Sequence, residues 1–130
     1  MKSYTDISQS KKLAEILPLE SADMWWLYVT SQGKHIAMMY EEPDPHYLAR
    51  MESYGIKDAA IRCWSLAALL DVLPLEIETH KQTDGYKTYY YVELYMKRMG
   101  KEIYLSTERH ENLVDACVAM IEKLHELKML

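Results

Sequence analysis

The strongest constraint in this sequence is an alternation that runs from Tyr89 to Thr107. Two β-compatible runs, Tyr89 to Lys97 and Lys101 to Thr107, flank Met99-Gly100, a pair that reads as a two-residue hairpin loop. Pairing across that loop sets Met96 opposite Ile103 and Leu94 opposite Leu105 on one face. The other face then holds Tyr95 opposite Tyr104, and Lys97 opposite Glu102 as an ion pair. A one-residue slip would mix the two sets, so register and facing are specified together. The aliphatic face needs a cover, and helices supply it in an α+β arrangement.

Helical signals lie on both sides of this hairpin. Asp6 to Leu17 reads as a short helix capped by Asp6 with Gln9 three residues on, its apolar face Leu13, Ala14, Ile16 and Leu17, and its stop Pro18. Trp25 to Val29 and His35 to Tyr40 read as a first hairpin around Ser31-Gln32-Gly33-Lys34. With Gln32-Gly33 as its turn, Val29 meets Ile36 and Leu27 meets Met38, and Trp26, Tyr28 and Met39 take the opposite face. Pro45 opens a further short helix through Tyr54. Ser65 caps a helix that ends at Leu73-Pro74. The last helix starts at Asn112, has Asp115 in its first turn, and carries the stripe Leu113, Ala116, Cys117, Met120, Ile121 and Leu124.

The expected fold is therefore α+β: one antiparallel sheet of about four strands from two hairpins, with the first, Ser65-capped and last helices on its aliphatic face. Leu13-Ala14-Glu15-Ile16-Leu17-Pro18-Leu19-Glu20 and Leu69-Leu70-Asp71-Val72-Leu73-Pro74-Leu75-Glu76 share a pattern, and Gly33-Lys34-His35-Ile36 echoes Gly100-Lys101-Glu102-Ile103. The spacing allows two helix-hairpin-helix copies, 6–55 and 64–128, with the polar stretch Glu78 to Thr88 as an insertion in the second. It is equally compatible with the general likeness of any two helix-then-proline segments.

At 130 residues and 15.3 kDa, the chain can bury one core without disulfides or a metal and is too short for two independent domains, so 1–130 is expected to be a single domain. Cys63 and Cys117 sit in apolar contexts and read as buried free thiols. The N-terminus lacks an apolar h-region, and no apolar run reaches bilayer length, so no membrane association and a cytoplasmic location are expected. The net charge of −5 gives no overall attraction to nucleic acid. The segment from Lys81 to Arg109 is an exception, with six cations against four anions.

The aromatic set is unusual, with eleven Tyr, three Trp and no Phe. On the hairpins it gathers Trp26, Tyr89, Tyr91, Tyr95 and Tyr104, with Lys97 among them. Three readings stay open at this point. The rings are covered by helices with their hydroxyls at the rim, or they form a protein–protein interface, or they stack nucleic-acid bases with help from Lys87, Arg98 and Lys101. Metal binding is not expected: Glu122-x-x-His125 is a single copy of a motif that works in pairs, and His110-Glu111 lacks a second His. No phosphate-cradling glycine loop or nucleophile elbow is present, so no cofactor and no catalytic residue is assigned.

Three segments resemble a group of short uncharacterised proteins from gut bacteria, their phages and mobile elements. They are Leu13 to Met24, Cys63-Trp64-Ser65-Leu66-Ala67-Ala68-Leu69-Leu70, and Val114-Asp115-Ala116-Cys117-Val118-Ala119-Met120-Ile121. Trp25 to Asp58 lies outside the resemblance, which brings no activity or site residue with it. What it implies is a cytoplasmic accessory protein. The leading expectation is a non-catalytic interaction protein that meets a partner, or a second copy of itself, through the aromatic face. The alternative is a nucleic-acid-binding accessory protein using that face with Lys87, Lys97, Arg98 and Lys101.

Overall fold

The computed structural model describes residues 1–39 and 42–130. Tyr40, where the second apolar run ends, is outside the described residues. The chain divides into two compact units: Thr5–Ser65, here the N-terminal unit, and Leu66–Leu130 together with Met1–Tyr4, the C-terminal unit.

The N-terminal unit runs α1 (Ile7–Ile16), β1 (Met24–Val29), β2 (Lys34–Met38), α2 (Pro45–Ser53) and β3 (Ala60–Cys63). Asp6 and Gln9 close the expected capping box on α1, Gln9 N–H donating to Asp6 Oδ1 at 2.8 Å and Asp6 N–H to Gln9 Oε1 at 3.1 Å. Asp44 caps α2 through His46 N–H, and Pro45 takes the first helical position. The sheet is antiparallel in the order β2-β1-β3, and α1 packs against β3. Leu13, Cys63 and Trp64 are fully buried in this unit.

The buried residues here include two hydroxyls, Thr5 and Ser10. They satisfy one another at 2.8 Å, and Thr5 Oγ1 also accepts from Trp64 N–H at 3.2 Å. The Cys63 thiol donates to the Thr5 carbonyl at 3.5 Å. A buried polar group costs little when it is paired in this way.

The C-terminal unit runs α3 (Leu66–Val72), β4 (Ile77–Thr83), β5 (Thr88–Arg98), β6 (Lys101–Ser106) and α4 (Leu113–Glu126). Its sheet is antiparallel in the order β4-β5-β6. The β5–β6 register is the expected one, with Met96 opposite Ile103, Leu94 opposite Leu105, Tyr95 opposite Tyr104 and Lys97 opposite Glu102. Met99 and Gly100 both have positive φ, 52° and 77°, as a tight two-residue hairpin turn requires. Asn112 caps α4 by accepting from Asp115 N–H at 2.8 Å. α4 lies against β5 and against α3, and Val92, Leu94, Val114, Cys117, Met120, Ile121 and Leu124 are buried.

Two expectations are corrected. The strands do not form one sheet of about four: they make two three-stranded antiparallel sheets, each hairpin gaining a partner. Consequently α1 packs on the N-terminal sheet and α4 on the C-terminal one. Most of the polar stretch from Glu78 to Thr88 is strand β4. It reads as polar because an edge strand with an open face has little to bury. Finally, the first hairpin is shifted by two residues: Val29 meets Lys34 and Leu27 meets Ile36. Its loop has four residues, Thr30 to Gly33, closed by Gln32 and Gly33 N–H groups on the Val29 carbonyl. A shift of two preserves the facing, so Leu27 still shares a side with Ile36 and Trp26 still lies opposite.

Candidate functional site

β5 separates two chemistries by strict alternation. Val92, Leu94 and Met96 are buried, while Tyr91, Glu93, Tyr95 and Lys97 point to the other side. The registers of the two neighbouring strands extend that second face. β4 contributes Glu78, His80 and Gln82, opposite Glu93, Tyr91 and Tyr89, and β6 contributes Glu102, Tyr104 and Ser106. Tyr95 and Tyr104, directly opposed across the strands, retain 52% and 61% exposure. Tyr89 and Tyr91 are half-buried.

The centre of the face is a connected group. The His80 ring stacks on Tyr91 with centroids 4.7 Å apart and planes 11° off parallel. Its Nε2 is shielded from solvent, has no hydrogen-bond partner among the described residues, and lies 3.4 Å from Glu78 Oε2 and 3.7 Å from Glu93 Oε1. The other Glu93 oxygen accepts from the Tyr104 hydroxyl at 2.8 Å. That hydrogen bond, followed by desolvation and the nearby charges of Glu93 and Glu78, holds the Tyr104 phenol above its ordinary range. Tyr104 is thus a neutral donor that holds one oxygen of Glu93.

The charge of this face is set by Glu78, Glu93 and Glu102 against Lys97, and Lys97 stands opposite Glu102. The remaining cations named from sequence lie elsewhere. Arg98 and Lys101 form the last pair of the hairpin on the side of Met96 and Ile103. Lys87 belongs to the β4–β5 turn, where its N–H donates to Asp84 Oδ1 at 2.9 Å. Two backbone N–H donors, from Lys87 and Tyr86, hold the Asp84 carboxyl below its usual range. Lys87 and Lys97 are separated by the length of β5, about 33 Å at roughly 3.3 Å per residue. Lys81 projects to the other side, 6.0 Å from the Tyr90 ring.

Of the aromatic residues singled out from sequence, Tyr89, Tyr91, Tyr95 and Tyr104 therefore share one face with Lys97. Trp26 does not: it is a residue of β1 in the other sheet, half-buried, with its indole N–H donating to the Thr5 carbonyl at 3.0 Å. His80, Glu78 and Glu93 were not singled out. No period-two signal marks the first two in the sequence, because Lys81 interrupts the alternation of Ile77 and Thr79 with Glu78, His80 and Gln82, and β4 is defined by its pairing with β5.

Other reactive groups are muted. Cys63 and Cys117 are free and buried. Burial raises the Cys63 thiol and pushes Cys117 up to about 12, so neither supplies a thiolate nucleophile near neutral pH. Among the described residues no group of three or more His, Cys, Asp or Glu is placed to hold a metal ion. No helix among them is long and apolar enough to cross a membrane. Comparison with protein-family models, with curated proteins and with solved structures gives no match for this chain.

Proposed function

We propose that the chain is a non-catalytic binding protein, with the accessory role that the sequence resemblance implies, and that it meets a protein partner through the tyrosine face of the C-terminal sheet. The observation that carries this reading is the opposed pair Tyr95 and Tyr104. Both residues are more than half exposed, Tyr95 on β5, whose alternate residues Leu94 and Met96 are buried, and Tyr104 opposite it on β6. Tyrosine suits such a surface because it offers a large rigid ring with a polar tip and loses little conformational entropy on contact. Glu78, Glu93 and Glu102 around the rings favour a partner surface bearing Lys or Arg. The same carboxylates weigh against the nucleic-acid alternative, since they would repel phosphates and Lys97 is the cation that shares the face.

The test is a selection from a random displayed peptide library on the wild-type chain, with counter-selection on the Tyr95→Ser/Tyr104→Ser double variant. Enriched peptides rich in Lys and Arg, lost on the variant, are expected. Binders that hold equally to both proteins would overturn the reading. A single-stranded DNA or RNA shift at about 50 mM salt that weakens as salt rises would instead favour the nucleic-acid alternative. Light scattering decides whether the partner is a second copy, since a dimer that the double variant turns into a monomer would assign the face to self-association.

A further inference from the structure

A groove of about 480 Å³ opens in the N-terminal unit, a size suited to a small-molecule ligand. Trp25, Leu48 and Ile56 supply its apolar surface, and Glu42, Glu52 and Asp58 supply carboxylates. The three acids come from separate places: the approach to α2, its last turn, and the connection to β3. No Lys, Arg or His is among the described residues that line the groove. Two of the acids already have a neighbouring cation outside it. Asp58 Oδ2 lies 3.3 Å from Lys11 Nζ, and Glu42 Oε1 lies 3.8 Å from the Arg62 guanidinium. Glu52 has no ion-pair partner among the described residues. Trp25 carries a cation too, the Arg62 guanidinium sitting 4.6 Å from its ring centroid. The indole beside the groove therefore already attracts positive charge through its π face.

We infer that this groove binds a small organic cation, an ammonium group attached to an aromatic or branched aliphatic body. The ammonium meets Glu52, the acid of the three without a neighbouring cation, and the body covers Leu48, Ile56 and the Trp25 ring. Leu48 is exposed while the groove is open, and a ligand of this shape removes it from water. An anion is disfavoured by Glu52, whose charge no cation among the described residues offsets. A neutral apolar ligand would desolvate Glu52 without compensation.

The experiment compares three near-isosteric probes, 2-phenylethylammonium, 2-phenylethanol and phenylacetate, by nuclear magnetic resonance on the full chain. The ammonium probe should move the Trp25 indole and the amides of residues 42–60, the alcohol should bind at least about tenfold more weakly, and phenylacetate should not bind. Glu52 is exposed on α2, so Glu52→Gln should keep the unfolding midpoint and weaken the ammonium probe about fivefold. Equal affinity for the charged and neutral probes, shifts confined to other residues, or no shift at about 10 mM ammonium probe would each overturn the inference. An N-acetyl-lysine amide that outcompetes 2-phenylethylammonium would also overturn it, in favour of a basic peptide.

Discussion

The two sheets start from a similar hairpin and use their faces differently. In the C-terminal sheet, β5 buries Val92, Leu94 and Met96 and turns Tyr95 and Lys97 outward, so one strand separates a core side from an open side. In the N-terminal sheet, every residue of β1 from Trp25 to Val29 is half-buried, and neither side is given up to solvent. Trp25 holds Arg62, Trp26 bonds the Thr5 carbonyl, and the Tyr28 carbonyl accepts from Tyr47 Oη at 2.6 Å. The third strand also enters from opposite directions, β3 following the hairpin by way of α2 and β4 preceding it. An antiparallel sheet with a cleanly divided central strand can spend one face on stability and keep the other for contact. A sheet whose residues are all partly engaged has no such spare face, and its binding capacity moves to the groove between β1 and the α2–β3 segment.

The largest expected effect tests that division on adjacent residues. Leu94→Ala should cost about 2–5 kcal/mol in urea denaturation, as a core cavity does. Tyr95→Ala, one residue along, should stay within about 1 kcal/mol. Similar costs for the two would mean that the tyrosine side is core as well, and would break the comparison.

The N-terminal unit has its own buried weak point. Thr5→Val removes the acceptor of Trp64 N–H and the partner of the Ser10 hydroxyl, at an expected cost of about 1–3 kcal/mol, while Thr5→Ser keeps both bonds and should cost less. If equilibrium unfolding gives the two variants the same stability, the hydroxyl network is not what holds Thr5 in place.

Smaller effects come from the turns. Gly100 has φ 77°, and Gly100→Ala should cost about 1 kcal/mol. Met99 has φ 52° without the freedom of glycine, so Met99→Asn should gain a few tenths of a kcal/mol. A Met99→Asn variant that lowers the melting temperature would contradict the two-residue turn.

A further effect is confined to the alkaline end of the pH profile. Burial raises the Cys117 thiol from its ordinary 9.0 to about 12, so the unfolded chain loses its proton first. The stabilising contribution is complete below about pH 9 and declines from there toward about pH 12. Cys117→Val should flatten part of that alkaline loss, read as unfolding free energy against pH. An unchanged slope would show that other groups carry it.

How much of this was legible in the sequence follows from the same contrast. The β5–β6 register could be read because a two-residue turn and two chemically distinct faces agree on one alignment, and Asp6, Gln9 and Asn112 announce their helices by capping chemistry. The β1–β2 register could not be read in the same way, since Gln32-Gly33 suggests a shorter loop than the four residues the chain uses. β3 is four residues long and carries Arg62 in its centre, too short for its pattern to stand out. β4 is an edge strand with Glu, His, Lys and Gln in its run, so its strand identity depends on pairing with β5. Because β4 was hidden, the Tyr95–Tyr104 pair was legible while the His80–Glu78–Glu93 group was not.

The most direct test of the division of labour in the C-terminal sheet is titration calorimetry with a library-selected basic peptide. It compares the wild-type chain with the Tyr95→Ser/Tyr104→Ser double variant, both checked for matching unfolding midpoints. The midpoints are expected to agree within a few degrees and the affinity to fall by at least about tenfold. Equal affinities at matched stability would contradict it.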